Sequence, residues 1–276
     1  MEGSRGLGDV YKRQIIIPVY EAKYTIKKTL ESINNQKFKN KIPKIELILS
    51  IDDNKNYEKY RSILNNEIIN TKSVSTNRIG SGPGNTRNIG FKKSIGKYVC
   101  FLDADDEYSE NYICEMLQGI EKEKLLLAVT KIFNKDKLIT EYTSKKKYMD
   151  IKELIKYPCS FHPFMKRSQF KEYKHFPSQD IYNLTEHLSE KKIKIIKKAY
   201  YKLNLRKNSL TMKKGFKHKI ILAYQKYLIK GIKDRNNKIS RHFAERLILN
   251  KNFEAWKKLN NSKKSYYEYL GDVYGE

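Results

Sequence analysis

The sequence predicts an α/β fold built on a mostly parallel sheet flanked by helices. Two runs, Ile45–Ile51 and Tyr98–Leu102, are almost wholly apolar and short, as strands buried on both faces are. Stretches with apolar residues at helical spacing alternate with them. Polar clusters follow the strand runs at Pro18–Glu21, Asp52–Asn54 and Asp103–Glu107. In open sheets of this kind ligands bind beyond the carboxyl ends of the strands, so the three clusters are expected to converge on one crevice.

The elements follow in order. Ile15–Ile17 is a first strand stopped by Pro18. Between Lys23 and Gln36, Ile26, Leu30 and Ile33 mark a helix. Tyr57, Tyr60, Ile63, Leu64 and Ile68 mark a second, and Lys72–Thr76 reads as a third strand. A loop with Gly80, Gly82 and Gly84 leads into a helix around Asn85–Ser94, closed by Gly96. Farther on, Leu125–Phe133 and Ile193–Ile196 read as strands, and Met149–Lys156 and Ile181–Ser189 as helices. From Phe216 the chain reads as a basic helical extension. Ile220, Ile221, Tyr224, Leu228 and Ile229 form one stripe, with Lys217, Lys219, Lys226 and Lys230 largely off it. That pattern suits either packing on the domain or an anionic membrane surface. Phe243, Leu247 and Trp256 suggest one more packed helix.

The chain has 276 residues, 39% hydrophobic and 32% charged, enough for a real core. Its 57 basic and 31 acidic residues give a net charge of +26. The excess is uneven: residues 1–120 carry +4 and residues 121–276 carry +22. Such a field attracts polyanions. No apolar run is long enough for a membrane span, and no secretory signal is visible. Cys100, Cys114 and Cys159 cannot make a disulfide framework, which points to a reducing, cytoplasmic location. Asp9–Gln14 resembles a translated transposon-end adapter, so Met1–Gln14 is set aside as a non-native leader.

Leu102-Asp103-Ala104-Asp105-Asp106 carries the sharpest chemistry. Side chains i and i+2 of a strand point the same way, so Asp103 and Asp105 are expected on one side and Ala104 on the other. Two carboxylates about 4 Å apart repel by about 4 kcal/mol at an effective dielectric of about 20. A divalent cation of the Mn2+ or Mg2+ type relieves that repulsion. The bland alternative is an acidic turn before the next helix. No G-x-G-x-x-G follows the first strand, and Gly90 to Gly96-Lys97 is one residue too long for a P-loop. The five histidines show no zinc spacing, and no serine sits in a nucleophile elbow.

Taken in order, Ile15–Tyr20 (IIIPVY), Ile45–Asn54 (IELILSIDDN), Gly84–Gly90 (GNTRNIG), Gly96–Asp106 (GKYVCFLDADD), Gln179-Asp180 and Ala199–Thr211 (AYYKLNLRKNSLT) resemble family-2 glycosyltransferases of the GT-A fold. The resemblance covers roughly Ile15 to Lys214. It implies an inverting transfer of a sugar from a nucleoside-diphosphate sugar, UDP favoured, to an acceptor hydroxyl. It implies that Tyr20 stacks on the base, with Pro18 and Val19 shaping that wall. Asp53 would accept from the base and Asp52 would support it. Arg87 would contact the nucleotide, Asp103 and Ala104 would lie by the ribose, and Asp105, with Asp103, would hold the metal. Asp180 matches the catalytic base. It also divides the chain into a nucleotide-sugar half (15–112), an acceptor half (113–214) and a basic C-terminal region (215–276). Gln179 stands where the family often has Glu, Glu21 where it usually has Asn, and His162–Ser168 is divergent. Arg206 and Lys207 could face the diphosphate or form a solvated basic loop. The expected partners are a nucleotide-sugar, a glycan or lipid-linked acceptor, and an anionic membrane surface on its inner face. Three other readings stay open: a nucleotidyltransferase, a basic nucleic-acid-binding protein, which lacks any recognisable motif, and a catalytically dead relative.

Overall fold

In the computed structural model, residues 13–39, 42–157, 161–206, 215–260 and 266–274 are described. Strand β1 (Arg13–Val19) pairs in parallel with β2 (Ile45–Ile51) on one side and with β4 (Tyr98–Phe101) on the other; β2 pairs in parallel with β3 (Ile69–Ser75). β1 thus begins before the expected Ile15 and runs through Pro18. Backbone groups alternate along it: the Ile16 carbonyl accepts from Leu102 and the Val19 carbonyl from Asp52. The side of Pro18 that lacks an N–H therefore faces β4, whose pairing has stopped at Phe101. Gln14 is buried, donates to the Glu46 carboxylate and accepts from Gly96 N–H. Lys72 closes on Glu46 at 2.5 Å, so a carboxylate inside β2 is matched by an amide and an ammonium.

Helix α1 (Ile26–Asn34) lays Ile26, Leu30 and Ile33 on Ile15, Ile17, Leu47 and Leu49 in one core. The second expected helix is a short 3-10 turn, Glu58–Ile63, too brief to bury a stripe. Pro83 opens helix α2 (Pro83–Lys93), its fixed φ suiting the first turn. At Gly90 a β-carbon would lie 2.5 Å from Ile16 Cγ2, so α2 rests directly on β1. The Ser50 hydroxyl donates to the Thr86 carbonyl of the same helix at 2.7 Å.

Beyond β4 the chain makes β5 (Glu107–Tyr108), α3 (Tyr112–Ile120), β6 (Leu125–Asn134) and β7 (Lys137–Tyr142). Two left-handed residues, Lys135 and Asp136, turn the β6–β7 hairpin. β9 (Phe164–Lys166) inserts antiparallel between β4 and β6. β10 (Ile193–Leu205) runs parallel to β6 and antiparallel to β5, and extends well past the expected Ile196. The strand order is β3-β2-β1-β4-β9-β6-β10-β5, with β7 on β6. The sheet is mixed but mostly parallel.

The chain divides into two compact units. The first takes the described residues of Met1–Thr143, His162–His175 and Lys194–Leu205, and holds this sheet. The second takes those of Ser144–Phe161, Phe176–Ile193 and Arg206–Glu276. It contains β8 (Tyr148–Met149), α4 (Ile151–Leu154), α5 (Gln179–Glu190), α6 (Phe216–Lys233), α7 (Asn237–Leu259) and α8 (Tyr266–Tyr274). The expected Met149–Lys156 helix is therefore a single turn, and α8 is an additional element. Ile181 and Tyr182 of α5 pack with Ala223, Tyr224 and Tyr227 of α6 and Ile239 and Phe243 of α7. The expected α6 stripe is mainly a packing face, but Ile229 lies outside and Tyr227 replaces it inside. Gly231 admits α7 closely: a β-carbon there would meet Ser240 N at 2.7 Å. Arg246 of α7 is fully buried, donating from Nε to His242 Nε2 at 2.9 Å and from Nη2 to the Leu154 and Tyr157 carbonyls.

Candidate active site

The site residues of the first unit sit where β1, β2 and β4, neighbours in the sheet, come to their carboxyl ends. Tyr20 follows β1, 42% exposed, with Val19 buried behind it. Its ring lies over Gly80, whose β-carbon, if present, would stand 3.8 Å away. Glu21 next to it takes a left-handed φ of 50°, and Asn54 after β2 takes 56°. Non-glycine residues adopt that region at a cost of about 1–2 kcal/mol each, and asparagine tolerates it best. That explains why Glu21, in place of asparagine, is the costlier choice.

Asp53 gathers the two turns. Its Oδ2 accepts from the Glu21 N–H and the Tyr57 hydroxyl, both at 2.7 Å, and its Oδ1 accepts from Lys55 N–H. Burial, and then the bond to Asp53, push the Tyr57 phenol up, so it stays a donor. A carboxylate has about four acceptor sites, so Asp53 keeps one beyond these three. Asp52 is used differently. It accepts from Thr76 Oγ1, Ser81 N and Oγ, and Gly82 N, so it pins the Thr76–Gly82 loop beneath Tyr20. That loop, with Asn85, Ile89 and His175, lines a cavity of about 510 Å³.

The acidic segment is a turn. β4 ends at Phe101, and Asp106 N–H donates back to the Asp103 carbonyl at 3.0 Å. Strand alternation therefore does not order Asp103, Ala104 and Asp105, and the expectation that both carboxylates face one side of a strand is corrected. The three aspartates have distinct surroundings. Asp103 accepts from the buried Arg87 of α2, and His162 Nε2 lies 3.4 Å from its other oxygen. Burial alone would raise its carboxyl, but the Arg87 guanidinium and His162 hold it well below the usual carboxylate range. Arg87 also lies over the Tyr173 ring at 5.4 Å. Asp106 is buried, and burial, then the charges of Asp105 and Asp103, push its carboxyl well above the usual range. Asp105 is half-buried on the turn, with Ala104 buried beside it.

Tyr201 and Asn204 of β10 clamp this turn. The Tyr201 hydroxyl accepts from Asp103 N–H at 3.1 Å and donates to Asp106 Oδ2 at 2.8 Å. Asn204 N–H donates to Asp106 Oδ1 at 2.8 Å, and its Nδ2 donates to the Asp105 carbonyl at 2.9 Å. Sequence reasoning gave no role to His162, Asp106, Tyr201 or Asn204. His162 has a faint signal: its His-Pro pair heads a short apolar run that proves to be β9. The Tyr201 and Asn204 contacts cross almost a hundred residues and leave no local pattern. Arg206 is exposed at the end of β10, and Lys207 and Cys159 lie outside the described residues.

No group of three or more His, Cys, Asp or Glu among the described residues is arranged to hold a metal alone. The donor set still suits a hard cation. Asp103 is matched by Arg87, and both Asp106 oxygens accept from Tyr201 and Asn204, so Asp105 is the turn's candidate ligand. Magnesium-type ions are commonly held by one or two carboxylates plus substrate phosphates.

Asp180 stands in the second unit, in the first turn of α5, half-buried, with Oδ1 accepting its own Ile181 N–H at 2.9 Å. Gln179 is buried.

Comparison with known proteins places the chain. Residues 14–189 match the Glycosyl transferase family 2 model. Amylovoran biosynthesis glycosyltransferase AmsB of Erwinia amylovora is 33% identical over 113 residues, covering 39% of this chain and 35% of AmsB. UDP-Glc:alpha-D-GlcNAc-diphosphoundecaprenol beta-1,3-glucosyltransferase WfaP of Escherichia coli is 30% identical over 146 residues, 52% of this chain and 55% of WfaP. The chain thus spans from about a third to just over half of the length of these curated relatives. Among solved structures, S. aureus TarS 1-349 in complex with UDP-GlcNAc matches with a TM-score of 0.60 at 19% identity, covering 79% of this chain and 66% of that one. That likeness is one of fold. The family match leaves the nucleotidyltransferase and nucleic-acid readings without support: with a mostly parallel sheet of GT-A type and a match over residues 14–189, the chain belongs to glycosyl transferase family 2.

Proposed function

We propose that the chain is an inverting glycosyltransferase that moves a sugar from a UDP-sugar to an acceptor hydroxyl. One observation carries this reading: at the ends of three adjacent strands, Asp53 accepts from Glu21 N–H and the Tyr57 hydroxyl beside Tyr20, and Tyr201 of β10 clamps the Asp103–Asp106 turn. Tyr20 stacks on the base against Pro18 and Val19. Asp53 accepts from the base with its remaining lone pair, while Asp52 keeps the neighbouring loop in place. Arg87, Asp103 and Ala104 bound the ribose. Asp105, with Asp103, would hold Mn2+ or Mg2+, which would supply positive charge for the diphosphate. Asp180 takes the proton of the attacking hydroxyl, help typically worth about 10²–10⁴-fold. In this reading residues 15–112 serve the donor, 113–214 the acceptor and 215–276 a basic accessory region.

The acceptor is a lipid-linked or surface glycan, reached from the cytoplasmic side. The substrate in WfaP's printed name and the basic second half support this. No helix among the described residues is long and apolar enough to cross a membrane.

Thermal shift with UDP-, GDP- and dTDP-sugars, with and without manganese, tests the reading. At hundredfold saturation a ligand adds about 2.7 kcal/mol, several degrees for a chain of this size. A UDP-sugar with manganese should give the largest shift, and Asp105→Ala should lose the manganese-dependent part. Equal shifts with all nucleotides, or none, would overturn it.

A further inference from the structure

We propose that Tyr227, on α6 and outside the stretch matched to the family, is a positioning residue for Asp180. This rests on Asp180 being the base. Asp180 is launched from the turn Phe176-Pro177-Ser178. Ser178 is left-handed, with φ 56° and ψ 28°, and caps α5 without a side-chain hydrogen bond. A non-glycine residue there is disfavoured, so the turn needs an outside restraint. The Tyr227 hydroxyl supplies it, sharing its one proton between the carbonyls of Phe176 at 3.2 Å and Pro177 at 3.1 Å. Its ring stacks on Tyr182, two residues past Asp180, with centroids 4.3 Å apart, and packs on Phe243 of α7 at 5.0 Å. One side chain thus grips the backbone just before Asp180 and the helix just after it. Tyr227 is 1% exposed. Burial, and then the Asp180 carboxylate, push its phenol up, which keeps the donor proton in place. Lys226 adds a cation over the Phe176 ring at 4.0 Å.

Tyr227→Phe separates the grip from the packing, because it keeps the ring and removes the hydroxyl. With the UDP-sugar that gives the largest thermal shift, UDP release should slow by about ten- to a hundredfold, the scale of a small misplacement. Donor KM should stay unchanged and Tm should move little. Hydrogen exchange at residues 178–182 should quicken while α7 keeps its protection. Adding Ser178→Gly, which tolerates the left-handed turn, should recover part of the lost kcat; a packing role would not respond to that change. Wild-type kcat and exchange in Tyr227→Phe would overturn the proposal. Asp180→Asn, assayed alongside, tells the failures apart. An inactive Asp180→Asn with a wild-type Tyr227→Phe sinks the grip alone, whereas a fully active Asp180→Asn sinks the base assignment and the grip with it.

Discussion

Two acid-bearing turns invite comparison, one in each unit. The Asp103–Asp106 turn is held from three sides: Arg87 on α2, His162 before β9, and Tyr201 with Asn204 on β10. The turn before Asp180 is tied by one shared phenol proton and carries a left-handed serine. The difference teaches where rigidity is placed. Groups that receive a fixed charge act best when they need no reorganisation, and many anchors provide that. If Asp180 is the base, its lighter mount makes turnover sensitive to the loss of that single phenol donor.

The widest test of the contrast is Asp180→Asn. It should cut transfer by about 10²–10⁴-fold while UDP affinity, read by calorimetry, stays the same. Weakened UDP binding would erase the division of labour between the turns. Next, Tyr201→Phe should lower stability by about 1–3 kcal/mol, since it strips a donor from buried Asp106 and an acceptor from Asp103 N–H. Tyr227→Phe should cost clearly less in the same denaturation. Comparable losses would show the two turns equally anchored. The smallest effect concerns pH in the second unit. Burial, and then the Arg246 charge, hold His242 well below its ordinary value, against a bond to the Ile151 backbone that favours the proton. Above about pH 6.5 the ring is neutral both folded and unfolded, and stability is unaffected. Below it the unfolded chain takes up a proton that the folded one refuses, so stability falls, by at most about 1.4 kcal/mol per pH unit. His242→Gln, which can still accept from Arg246, should flatten that decline in melts between pH 7 and 5.

Much of this was legible from the residues. β2 matches its expected bounds, Ile45–Ile51, because a strand buried on both faces leaves an uninterrupted apolar run. The three polar clusters were visible for the same reason: they end such runs. Pro18 misled because proline ends most strands, yet here its bare side faces past the end of β4. The far half of β10 was hidden by a register shift between Ile196 and Tyr200, where exposed Lys197 and Lys198 break the pattern. The acidic segment was mistaken for strand because local spacing cannot say where pairing stops. Tyr201 and Tyr227 were unreadable, since each acts on backbone far away in sequence.

Gly90 carries a last consequence. Exchanging a mid-helix glycine for alanine ordinarily stabilises a protein, by roughly 0.5–1 kcal/mol. At Gly90 the extra methyl would collide with Ile16 and crowd Ser50, lifting α2 off its bed. Arg87 rides that helix less than one turn earlier, so its reach to Asp103 is gauged by a missing atom. A thermostabilisation campaign that treated every helical glycine alike would detune the catalyst while trying to toughen it.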